Sequence, residues 1–253
     1  MCGRFLLNTT WAELREYFDL IRPQEGEAPE IEPRYNIAPT TPIVVVRPGH
    51  DRQREAIHAR WGLIPSWVKD PKDFTLLINA RSETAASKPS FRNAMKRRRV
   101  LVPASGFYEW RRLGKGPDGK QRRQAYAVLP PGNAPVAFAG LMETWHAPDG
   151  SEMDTACILT TDATDTFRPI HDRLPMIVEP EHFERWLDVD HHGPDEVADL
   201  LHPPADDWWR PVPVSPRVNK VGNDGPENLA EVEPIADLPR AEAAPKQGGL
   251  FDA

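Results

Sequence analysis

Apolar positions along the chain fall into short runs divided by proline and glycine, and most runs have the composition or two-residue period of a strand. "TPIVVVRP" is a β-branched run that predicts a buried strand, and "REAIHARWGL" predicts a second. "RVLVPASGFYEWRR" and "QAYAVLPP" read as strands on either side of a polar hairpin, "LGKGPDGKQRR". "VAFAGLMETW" and "TACILTTDA" add two more. Helical spacing is confined to short segments. In "WAELREYFDL", Trp11, Leu14, Tyr17 and Phe18 share a face, Thr10 stands as the N-cap, and Glu13 follows three residues on as in a capping box. "EHFERWLD" and "DEVADLLH" predict two short helices, with Pro180 and Pro194 just ahead of their first turns, and "WWRPVPVSPRVN" reads as extended. There is no βαβ alternation and no repeat. The pattern therefore predicts a single α+β domain over residues 2–222, rich in antiparallel strands. From about Asp224 the apolar period dissolves into Ala, Glu and Pro, so residues 223–253 are expected to form a disordered acidic tail.

Composition narrows the class. At 253 residues, 40% of them hydrophobic, the chain can bury one good-sized core. No segment approaches the roughly 20 apolar residues of a membrane span, so no membrane partner is expected. Two cysteines, Cys2 and Cys157, make no disulfide framework, and the start of the chain lacks the pattern of a secretory signal; both point to the cytoplasm. The net charge of -7 hides an uneven distribution. Residues 81–123 carry 13 Lys/Arg against 3 Asp/Glu, and residues 224–253 carry 2 against 7. A basic middle suits nucleic acid, although a solvated surface has the same composition. The 8 histidines lack metal-ligand spacing and "DHH" at 190–192 reads as a surface loop, so no metal or cofactor is expected. Cys157, within an apolar run, reads as a core residue.

Cys2 is the first candidate for chemistry. Removal of Met1 would give it a free α-amine beside its thiol. The amine has a pKa near 7.7–8.0, so part of it is nucleophilic at neutral pH. It can condense with an aldehyde to a Schiff base, and the thiol can close on the imine carbon as a five-membered thiazolidine, an intramolecular and well-oriented step. The same thiol could instead attack an acyl group with the terminal amine as base. A buried cysteine that happens to fall early is the structural alternative. Glu109, between aromatics in "GFYEW", would have a raised pKa if poorly hydrated, suited to proton transfer; an ion pair with an arginine is the other reading. His171 lies in the Pro-bounded loop "RPIHDRLP". Asn79 and Arg81, two apart in "INARSET", share a face on a strand, as do Cys2 and Arg4 if the start is extended.

The ordered segments "MCGRF", "YNIAPT", "WGLIPSW", "NARSET", "LVPASGFYEW", "HDRLP" and "PVSPRVN" closely resemble the SRAP family, named for SOS-response-associated peptidases, from Cys2 to about Val221. The resemblance implies a curled, barrel-like β core with short peripheral helices. It implies capture of abasic sites in single-stranded DNA, through a covalent thiazolidine at the N-terminal cysteine that shields the lesion. On the matching positions it implies catalytic Cys2, Asn79, Glu109 and His171, phosphate contacts from Arg4, Arg81 and Arg173, and stacking by Trp67. In that scheme Asn79 orients the amine, His171 gives a proton to the departing oxygen and Glu109 shuttles protons. Weak lyase activity would follow if ring closure were slow. Two positions depart from the family pattern: Leu174 stands where methionine is common, and Val100 where cysteine is frequent. Both are apolar exchanges that bear on packing. A cysteine-type peptidase, self-processing included, and a non-covalent single-strand binding module are the alternatives. A monomer is expected. The terminal "QGGLF" resembles the Gln-x-x-Leu-Phe peptides by which bacterial DNA-repair proteins dock on the sliding clamp, with Gln247, Leu250 and Phe251 as anchors.

Overall fold

The structure, a computed structural model, describes residues 2–21 and 31–236. Among these the chain runs β1 (Phe5–Leu7), α1 (Trp11–Phe18), β2 (Arg34–Ile37), β3 (Pro42–Pro48), β4 (Arg54–Trp61), β5 (Asn79–Arg81), α2 (Ser82–Ala85) and α3 (Arg92–Arg97). It continues through β6 (Arg99–Ala104), β7 (Gly106–Lys115), β8 (Gln121–Leu129), β9 (Val136–His146), β10 (Glu152–Asp162), β11 (Arg173–Pro175), β12 (Ile177–Val178), α4 (Phe183–Leu187) and β13 (Arg210–Val214).

Strands β4, β3, β6, β9 and β10 pair in that order, and β10 returns to β4, closing a ring. The four steps from β4 to β10 are antiparallel. In a five-membered ring the closing pair must then be parallel, and β10 does pair with β4 in parallel register. Strand β5 adds to the far part of β10, also parallel, with Asn79 opposite Ile158 and Arg81 opposite Thr160. The domain is rich in antiparallel strands, as expected, and these two pairings are its parallel ones, the first of them set by closure of the ring.

A second sheet, β13-β8-β7-β1-β2, lies against this barrel. Aromatic rings join the two. Phe5 meets Trp61 edge-on at 5.1 Å and Phe138 at 6.2 Å, while Phe107 meets Phe138 at 6.3 Å. Burial of such rings is the largest apolar contribution per residue to a core. It also fixes the residues of interest, since Cys2 lies three positions before Phe5 and Glu109 two after Phe107.

The run "RVLVPASGFYEWRR" is two strands, β6 in the barrel and β7 in the second sheet. The chain changes sheet at Gly106, whose φ is 147°. A Cβ there would come within 2.7 Å of the Val128 carbonyl oxygen, so the crossing requires glycine. Helix α1 has its capping box: Thr10 Oγ1 accepts from Glu13 N–H, and Glu13 Oε2 accepts from Thr10 N–H at 2.8 Å. "DEVADLLH" forms a 3-10 helix over Asp195–Leu200 rather than an α-helix, and "EHFERWLD" divides into a 3-10 turn and α4. Segments too short to show a period, β2, α2 and α3, carry no sequence signal of their own.

Residues 224–236 are held against the domain. Asn228 is fully buried, Glu231 forms a bridge with Val214, and the Ile235 N–H donates to Gln124 Oε1 at 3.2 Å. Residues 224–236 therefore cover the β8–β13 edge. Gln247, Leu250 and Phe251 lie outside the described residues. Among the described residues no helix is long and apolar enough to cross a membrane.

The basic middle is not uniformly a surface. Arg99 is buried, and its guanidinium donates to the carbonyls of Trp186 (2.6 Å), His192 (2.6 Å) and Met95 (3.0 Å) while lying over the Trp186 ring. It ties α3 and α4 to the barrel. Arg99→Met leaves these carbonyls buried without donors, and unmet buried groups cost about 1–3 kcal/mol each. The variant is expected to lose about 3 kcal/mol or more of stability, read by denaturant unfolding.

Candidate active site

Strand β1 and the residues before it deliver Cys2 to the seam between the two sheets. Cys2 is buried, and its Sγ lies 3.9 Å from the Arg4 carbonyl oxygen. Asn79, at the start of β5, donates from Nδ2 to the Cys2 carbonyl oxygen at 2.7 Å. Asn79 thus grips the backbone of Cys2, and its buried Oδ1 has no partner among the described residues. Burial raises the Cys2 thiol far above its ordinary value, with the charge of Glu109 adding to the effect. The Glu109 carboxylate thus lies within electrostatic reach of the thiol. Glu109 is 4% exposed, and burial pushes its pKa up to about 7.

His171 follows β10, in the turn leading to β11. Its Nδ1 accepts from the Arg173 backbone N–H at 3.0 Å and lies 3.0 Å from Asp172 Oδ1. Both contacts cannot be made by one protonation state. Burial, and after it the positive charge of the amino terminus, lowers the pKa of His171. The lowered pKa favours the neutral ring, and the Arg173 N–H bond belongs to the form whose Nδ1 carries no proton. Asp172 also acts on Glu109, so the two titratable groups share one neighbourhood.

Arg4 is half-buried, and its Nη1 donates to Asn36 Oδ1 at 2.7 Å and the Val218 carbonyl at 3.0 Å. Its guanidinium lies 5.8 Å from the centre of the Trp110 ring. Asn36 is buried and donates in turn to the carbonyls of Asn223 (2.8 Å) and Lys220 (3.1 Å). Asn36 is the residue that sequence reasoning missed. The available signal was a lone amide inside the apolar strand "RYNI", which a folded chain keeps only where its hydrogen bonds are met.

Arg81 is exposed on β5 beside Asn79. Trp67 is 58% exposed and meets Phe74 edge-on at 5.4 Å. Its loop is closed by the Leu63 N–H donating to the Leu77 carbonyl at 2.9 Å, which brings the loop back to the start of β5. Arg173 does not fit the expected phosphate contact. It is 7% exposed, and both carboxylate oxygens of Glu83 hold it, at 2.8 and 2.9 Å, with Asp162 as a further partner. Two carboxylates offset its charge, so it fastens α2 to β10 and β11 instead. Leu174 and Val100 are buried in the core, where an apolar exchange is absorbed by packing. Cys157 is also buried.

A cleft of about 770 Å³ lies elsewhere, bordered by Leu20, His50, Arg54 and Asp190, and shares no lining residue with the Cys2 cluster. Glu179, Glu181 and His182 bring three potential ligand atoms within 4.8 Å of one another, but two of the three side chains are solvated carboxylates.

The profile of the SOS response associated peptidase (SRAP) family matches residues 1–221. The chain belongs to the SRAP family. Its relatives within SRAP include the abasic site processing protein YoqW of Bacillus subtilis, 38% identical over 90% of this chain and 98% of that one. The abasic site processing protein HMCES of Gallus gallus is 31% identical over 92% of this chain and 78% of its own length. A solved structure from Bacteroides thetaiotaomicron superposes with a TM-score of 0.77 at 23% identity, covering 92% of this chain and all of that one, and shares the SRAP fold.

Proposed function

We propose that this SRAP protein captures abasic sites in single-stranded DNA as a covalent thiazolidine at Cys2, once Met1 has been removed. The observation that supports this most is the pairing of Cys2, held by Asn79 through its carbonyl, with a buried Glu109 that keeps its proton up to about pH 7. An aldehyde trap needs a fixed amine, a thiol beside it and a proton carrier matched to neutral pH. Its relatives named abasic site processing proteins supply the substrate class.

The steps balance as follows. The Cys2 amine adds to C1′ of the ring-opened deoxyribose, giving a carbinolamine. Glu109, protonated at neutral pH, donates to the departing hydroxyl, and one water leaves as the C=N bond forms. The thiol then adds to the imine carbon; its proton passes to Glu109 and the imine nitrogen ends as the ring amine. No oxidant is consumed and no further atom is lost. The elevated thiol pKa favours this order, with the amine first, over a peptidase in which a thiolate attacks an acyl carbon. His171, neutral and bearing its proton on Nε2, donates a hydrogen bond to the sugar rather than acting as the main acid. Asn79 Oδ1 is an acceptor suited to an amine N–H. In this reading Arg81, exposed at the end of β5, meets the backbone, and the exposed Trp67 stacks on a base.

The test is a denaturing gel of protein incubated with single-stranded DNA carrying one abasic site. A band that survives denaturation without reductant supports capture. Turnover of peptides with no such band supports a cysteine peptidase, and retention on native gels alone supports a non-covalent binding module.

A further inference from the structure

Arg173 carries one positive charge and is met by two carboxylates. Asp162 stands opposite it in the β10–β11 pairing and is enough to offset that charge. Glu83 comes from 90 residues away, and its side chain is 46% exposed, yet both of its oxygens hold the guanidinium, at 2.8 and 2.9 Å. A half-exposed carboxylate that brings a second negative charge to one cation adds little stability, because water screens it and Asp162 repels it. A fork of two parallel bonds does fix geometry. The two segments it joins show what that geometry serves.

At one end, Glu83 lies two residues beyond Arg81, where β5 runs into α2. Strand β5 is three residues long, and its first residue, Asn79, holds the Cys2 carbonyl at 2.7 Å. At the other end, the Arg173 backbone N–H donates to His171 Nδ1 at 3.0 Å. The Arg173 guanidinium also donates to the carbonyl of Thr160, the residue paired with Arg81 across β5 and β10. The bonds therefore run from Cys2 to Asn79 on β5, from Glu83 to Arg173, and from Arg173 to His171. An intact fork sets where the His171 ring stands relative to the residue that grips Cys2. It also keeps the Arg173 N–H aimed at Nδ1, which leaves the proton of the neutral ring to Nε2.

We propose that Glu83 is a positioning residue for capture: through Arg173 it holds the His171 ring in its Nδ1-accepting orientation, at a fixed place relative to Asn79 and Cys2. The proposal rests on the reading that His171 meets the sugar of a captured abasic site.

The experiment uses Glu83→Gln. Glutamine keeps the size of the side chain and leaves Asp162 as the counter-charge, so the fold persists. It replaces one acceptor oxygen with an NH2 group that faces the guanidinium, and the fork opens. Nitrogen NMR of the histidine ring in the free protein, at a pH above the ordinary histidine value, reads the form of His171. Wild type should show a bare Nδ1 and a protonated Nε2, and Glu83→Gln should shift to a mixture of the two neutral forms. Capture rates at saturating abasic DNA are then compared for wild type, Glu83→Gln, His171→Ala and the double variant. A misplacement of about 1 Å costs up to about 10²-fold in rate, so Glu83→Gln is expected to slow capture by about tenfold or more. With His171→Ala already in place the same change should slow it no further, since residues that act through one another are not additive. A bond that merely stabilised the fold would slow both backgrounds alike. Absence of a covalent product from wild type would sink the capture reading and leave the ring measurement to decide the positioning role. The proposal is overturned if the His171 ring is the same in the variant and wild type, if Glu83→Gln captures at the wild-type rate, or if it slows capture equally with and without His171.

Discussion

Cys2→Ala yields no covalent band with abasic DNA under conditions in which wild type is fully captured. The change removes one buried sulfur from a well-packed site, so the expected cost in stability is about 1 kcal/mol and the fold persists. Cys2→Ser separates the two nucleophiles. Its amine still forms an imine, which borohydride traps, but the hydroxyl closes the ring poorly, so the band disappears when the reductant is omitted. A tag placed ahead of Cys2 blocks the amine and should have the effect of Cys2→Ala. The three outcomes together assign the first bond to the amine and the second to the thiol. A stable band from the alanine protein would contradict the assignment to the thiol, and one from the tagged protein the assignment to the amine.

The second large effect lies at Glu109. Glu109→Gln removes the proton carrier, and general acid–base assistance is worth about 10²–10⁴ in rate. Capture at saturating DNA should slow by that factor while binding of undamaged DNA is kept. Stability moves the other way. Burial raises the Glu109 pKa in the folded protein to about 7, above its ordinary value. Below the ordinary value both folded and unfolded chains hold the proton, and glutamine is close to neutral in effect. As pH rises through 7 the folded protein must carry a desolvated carboxylate, and its stability falls. A difference of that size corresponds to about 3 kcal/mol. Glu109→Gln should therefore be the more stable protein at pH 8, by up to that amount, and the advantage should fade as pH falls toward 4. Melting curves at the two pH values check this. Equal stability at pH 8 would mean that the carboxylate is not buried at a cost. Functional sites commonly hold such groups at the expense of stability.

The legible part of this fold was the part with a period. Strands of seven residues or more, such as β3, β4, β9 and β10, announce themselves through β-branched and alternating positions, and α1 through its spacing and capping box. The parallel closure of β10 on β4 has no local signal, because it is set by the number of strands in the ring. The sheet change at Gly106 was likewise hidden, since "PASGFYEW" keeps the same alternation across it and only the contact with Val128 demands glycine. Residues 224–236 have no periodic apolar pattern, and they are held by Leu229 on the second sheet and by single bonds to β8 and β13.

The site was legible in its residue types, less so in its contacts. Glu109 between aromatics signalled burial, and it is buried. Arg173 and Arg81 look equivalent in sequence, yet Glu83 and Asp162 take the first inward while the second stays exposed. No spacing rule separates them, because Glu83 reaches Arg173 across 90 residues. Asn36 was passed over for the same reason, since its partners, Arg4 and the turn after β13, are distant in the chain.

The most direct measurement is the intact mass of the captured product after nuclease and protease digestion. Capture at Cys2 requires an N-terminal peptide without Met1, joined to the deoxyribose remnant with the loss of one water, and unchanged by reductant because the imine has already been closed by the thiol. The account is contradicted if the adduct maps to any other residue, if Met1 is retained in it, or if borohydride adds two hydrogens, which would show an open imine in place of the ring.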